Sequence, residues 1–101
     1  MQESTEPKTK VIFRVWKETG TLIALFPEFP ADNYGAFCDS YEHVGQHGGA
    51  NYNGVIDQSR PAHVSEIDDL KAELEGIGYN LQVIHKCTSV MDRVRREAAR
   101  R

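Results

Sequence analysis

Two apolar runs of similar length, Val11-Ile12-Phe13-Arg14-Val15-Trp16 and Leu22-Ile23-Ala24-Leu25-Phe26, are separated by five residues that include Gly20. No other feature constrains the fold as much. Val11, Phe13 and Val15 alternate with Ile12, Arg14 and Trp16, the period of two of a strand with one face buried and the other partly covered. Gly20 can take the positive φ of a short hairpin, where a side chain would be strained. The pattern predicts two antiparallel strands, the second ended by Pro27 and Pro30, which cannot donate to a ladder.

Beyond the hairpin the signals weaken. Phe37 to Val44 reads as a third strand, with Phe37, Asp39, Tyr41 and His43 on one face and Cys38, Ser40, Glu42 and Val44 on the other. Neither face is cleanly apolar, so its inward polar groups need partners or line a site. Gly45 to Ala50, with Gly48 and Gly49, is expected to be a loop, because glycine makes a regular element costly. Val55 and Ile56 are expected as a short strand.

Ser65 with Asp68 suggests a capping box, and Ile67, Leu70, Leu74 and Ile77 recur at helical spacing with acidic residues opposite. Gly76 and Gly78 supply the stop, and Tyr79 to His85 reads as a last strand. The expected class is α+β: a small, mostly antiparallel sheet in the order strand, strand, strand, helix, strand, covered by one helix. Residues 1–9 form a polar lead-in, 10–86 one domain and 87–101 a basic helical extension.

At 101 residues the chain has room for one core and for no cleft between domains. No stretch is apolar enough to span a bilayer, and the N-terminal residues lack the apolar segment of a secretory signal, so the expected compartment is the cytoplasm. Cys38 and Cys87 are then expected as free thiols. The net charge of −3 is unevenly placed: Lys86 to Arg101 holds six basic and two acidic residues, leaving −7 on the remainder.

Chemistry-bearing side chains concentrate between Cys38 and His47. His43 and His47 are four apart, a metal-binding spacing only on a helix, which Gly45 and the following glycines disfavour. Cys38, His43 and His47 form a candidate metal or thiol site; Cys38 as a nucleophile is disfavoured, since it and His43 point to opposite faces of a regular strand. No phosphate-binding loop motif is present and no cofactor is implied. The expectation leans away from an enzyme, toward a binding or regulatory module recognising a protein partner through Tyr41, His43, Gln46 and His47. The alternative is a nucleic-acid accessory role, with Arg93, Arg95, Arg96, Arg100 and Arg101 on phosphates. The thin apolar stripe of the last helix admits a monomer or a homodimer.

Several segments together resemble a group of small, uncharacterised bacterial proteins: Val11-Ile12-Phe13-Arg14, Ala24-Leu25-Phe26-Pro27, Ser40-Tyr41-x-His43-Val44-Gly45-Gln46-His47, Arg60-Pro61-Ala62 and Asp69-Leu70-Lys71-x-Glu73-Leu74-x-x-Ile77-Gly78-Tyr79. The resemblance spans roughly residues 10 to 84 and implies a shared core without the Arg-rich helix. No activity is established for that group, so the resemblance implies none.

Overall fold

The computed structural model describes residues 8–42 and 46–100. The elements are β1 (Thr9–Trp16), β2 (Leu22–Pro30), β3 (Cys38–Glu42), β4 (Gln46–Ala50), α1 (Tyr52–Gln58), β5 (Ser59–Pro61), α2 (Val64–Ile77), β6 (Leu81–Ile84) and α3 (Ser89–Ala99). They form an α+β domain around one sheet in the order β4-β3-β2-β1-β5, antiparallel throughout. β6 joins parallel to the first half of β1, while β5 pairs with its second half.

The β1–β2 hairpin forms as expected, with Gly20 at φ +74° and its N–H donated to Trp16 O at 2.8 Å. β2 does not end at Pro27. It runs on to Pro30, because the register with β3 shifts between Phe26 and Pro30 and so asks no ladder N–H of the proline.

Alternation along β1 divides the interior in two. Val11 and Phe13 meet Ala24, Phe26, Tyr41 and Leu81 on the face covered by Leu70 and Leu74 of α2. Ile12 meets Ile23, Leu25, Cys38, Ala50 and Val55 on the other face, where Trp16 and Tyr52 also pack. Both faces are therefore covered, where the sequence pattern provided for one.

The second cover arises because Val55 and Ile56 are helical and not a strand. Asn51 caps α1, its side chain accepting from Gly54 N at 2.9 Å, and Tyr52, Val55 and Ile56 then share one side of the turn. Arg14, buried beneath α1, fixes its C-terminal end by donating to Ser59 Oγ at 2.9 Å, Ser59 O at 2.8 Å and Ile56 O at 3.2 Å. Burial lowers the pKa of its guanidinium.

α2 begins earlier than the Ser65–Asp68 pair suggests. Its N-cap is His63, whose N–H donates to Glu66 Oε1 at 2.8 Å, and Arg60 holds the other Glu66 oxygen at 2.7 Å. Its buried stripe is Leu70 and Leu74 with Ile67 at the margin; Ile77 is 55% exposed, because the helix ends there with Gly78 at φ +126°.

α3 is docked on β2 and on the turn before β3. Arg95, 3% exposed, carries that contact: Nε donates to Gly35 O at 2.7 Å, Nη1 to Pro27 O at 3.0 Å, and Nη2 pairs with Asp92. Gly35 permits the approach, since a Cβ there would lie 2.8 Å from Arg96 Cα and the backbone sits at φ +71°.

Candidate functional site: the β3–β4 hairpin

The segment from Gln46 to Ala50 is a strand. It pairs with β3 through five consecutive positions, from Glu42↔Gln46 to Cys38↔Ala50, with no bulge. The expectation of a glycine loop fails because pairing is supplied by β3, which is not local in pattern, and because glycine removes steric conflict. A Cβ at Gly49 would press on Ala31 Cβ at 3.2 Å, and Ser40 Oγ donates to Gly48 O at 2.8 Å. β4 lies at the edge of the sheet, paired on one side only.

His47 is thus on a regular strand opposite Tyr41, its ring edge-on to the tyrosine at 4.8 Å between centroids and Nδ1 4.0 Å from Asp39 Oδ2. Tyr41 is a core side chain, 2% exposed, and its hydroxyl donates to Glu73 on α2. It anchors the hairpin and is not a surface contact. His43 lies outside the described residues, and for Gln46 the structure describes the backbone, paired with Glu42. The inward polar groups of β3 have partners, and among the described residues no buried side-chain nitrogen or oxygen lacks one.

The proposed Cys38–His47 pairing does not form. Cys38 packs on the α1 face, among Ile12, Leu25 and Val55, whereas the His47 ring meets Tyr41 on the α2 face. Alternation along two paired strands imposes this separation. Among the described residues no group of three His, Cys, Asp or Glu side chains is placed to hold a metal ion. Burial pushes the Cys38 thiol up to about 11 and also raises that of Cys87, so neither is poised as a thiolate near neutral pH. Both are free cysteines.

Of the expected phosphate-binding arginines, Arg95 is withdrawn into the domain by the bonds described above, a burial that charge alone does not reveal. Arg93, Arg96 and Arg100 are exposed, with Arg96 Nε 3.1 Å from Asp92 Oδ2; Arg101 lies outside the described residues. No helix among the described residues is long and apolar enough to cross a membrane.

The sequence reading placed Trp16 and Glu42 on separate strands and did not join them. On the α1 face, an open cleft of about 450 Å³ is lined by Trp16, Ile23, Ser40, Glu42, Gly48 and Val55, among others. Trp16 Nε1 donates to Glu42 Oε1 at 2.8 Å across the intervening β2. Both residues alternate onto this face in the sequence, but nothing local joins positions 26 apart.

Comparison with known protein families, with curated proteins and with solved structures found no match.

Proposed function

We propose that this domain is a non-catalytic binding module, and that its recognition surface is the β3–β4 hairpin, where a partner protein docks along the outer edge of β4. The observation that carries this reading is the open five-residue edge. An edge strand offers unpaired N–H and C=O groups, and proteins ordinarily blunt such edges with lysines, prolines, bulges or very short strands. β4 has none of the first three, and its ladder is regular. The opposite side of the sheet is divided between β5 and β6, of three and four residues, and β5 contains Pro61. The cleft beside Trp16 adds a concave surface next to the same edge.

Binders selected from a random display library against the folded domain test this. Their amide shift changes should centre on residues 46–50. Changes centred on α3, with the hairpin unmoved, would count against the reading.

A second reading, nucleic-acid binding through α3, is favoured by one observation. Tyr34, 82% exposed, precedes the Gly35 turn that abuts α3, beside Arg96. An exposed ring beside the helix that carries exposed Arg93, Arg96 and Arg100 would combine stacking with phosphate contacts. Salt-sensitive retardation of single-stranded DNA or RNA, lost in an Arg93→Glu, Arg100→Glu variant, would support it; no retardation at low salt would remove it.

A further inference from the structure

The region around β4 is acidic as well as open. From Phe37 to Gly54 the sequence contains Asp39 and Glu42 but no lysine or arginine, within a body that carries −7 outside its last sixteen residues. The two carboxylates lie on opposite faces of the hairpin. Glu42 faces the cleft, one oxygen held by Trp16, and among the described residues its Oε2 has no hydrogen-bond partner. Asp39 faces the other way, with Oδ1 accepting from Ser40 N at 3.0 Å and Oδ2 turned toward His47 on β4. Arg14, on the cleft face two strands away, directs its guanidinium to Ser59 and Ile56. It does not line the cleft.

We infer that the partner supplies an extended segment carrying lysine or arginine, which adds to the sheet as a strand beside β4 and sets a cation on Asp39. The inference rests on the docking reading above and names its occupant. A strand added to β4 lies two strand spacings from β3, about 10 Å. Gly49, paired with Asp39, has no side chain of its own but is overlain by Ala31; Asp39 is 31% exposed and leans toward His47 on β4, so a long cationic side chain passing over Ala31 covers the remaining distance. Main-chain pairing supplies affinity, and the carboxylates supply selection among sequences.

The probe is a set of eight-residue peptides of alternating threonine and valine, identical except for two same-face positions occupied by arginine, lysine, glutamine or glutamate. The arginine and lysine members should bind about two- to fivefold more tightly than the glutamine member, as expected for a partly exposed ion pair, and the glutamate member more weakly still. Asp39→Asn keeps the oxygen that accepts from Ser40 N, so it should remove the preference and leave glutamine-peptide binding unchanged. Urea unfolding of each variant confirms that the fold is retained. Equal binding of all four peptides, with residues 46–50 perturbed, overturns the cationic occupant and leaves strand docking standing. Binding of none overturns both. A free domain whose β4 amides become protected as its own concentration rises shows that a second copy takes the edge, and also overturns the inference.

Discussion

Replacing Arg95 by Met should unfasten α3 from the body while keeping most of the aliphatic volume. The variant leaves Gly35 O and Pro27 O buried without their donor, and each hydrogen bond from a charged group is worth about 1.5–3 kcal/mol. The pairing with Asp92 adds less than about 1 kcal/mol, because that carboxylate is 43% exposed. Relief of the arginine's own desolvation offsets part of the total, so the expected net loss is about 3 kcal/mol. For a domain of this size that lowers Tm by about 12 °C or more. Urea unfolding followed by far-UV circular dichroism and Trp16 fluorescence measures it. Stability within about 1 kcal/mol of the parent would refute the assignment of α3 to the folded body and return it to the role of a solvated tail.

Three further outcomes follow from the same packing. Gly35→Ala places a Cβ 2.8 Å from Arg96 Cα at a positive φ and should cost about 2–4 kcal/mol by urea titration; a neutral change would mean that the turn and α3 are not in contact. Arg60 first, and then the His63 N–H, hold the Glu66 carboxyl at about 2 instead of its ordinary 4.5. That contribution is present above pH 4.5 and is lost as the pH falls toward 2, so Glu66→Gln should flatten the urea midpoint across this window; an unchanged acid dependence would contradict the capping geometry. Cys38, buried and with its thiol pushed up to about 11, should resist iodoacetamide near pH 8 until urea unfolds the chain; fast labelling of the folded protein would show that the α1 face is open.

The β1–β2 hairpin and α2 were legible in the sequence because their signals are periodic and local: alternation closed by Gly20, and a stripe at three- and four-residue steps closed by Gly78. β4 was not, since Gly48 and Gly49 have low intrinsic strand preference and become a strand only through pairing with β3. α1 was hidden because Gly54 weakens the helical pattern, and the decisive signal is a single capping residue, Asn51. In the candidate site, sequence located the segment containing His47 but could not tell that Tyr41 is interior, nor that Cys38 and His47 part to opposite faces. Those facts depend on which strands neighbour one another. Arg95 shows the general limit: a charge in a basic run reads as solvated, whereas here two backbone carbonyls from distant segments bury it.

The central claim is that residues 46–50 form a paired strand with an open outer edge, and amide hydrogen exchange of the free domain at low concentration tests it most directly. Protection should alternate along these five residues, because inward N–H groups are held by β3 and outward ones face water. Uniformly fast exchange would restore the glycine loop, uniform protection would mean that the edge is already covered, and either result would contradict the account.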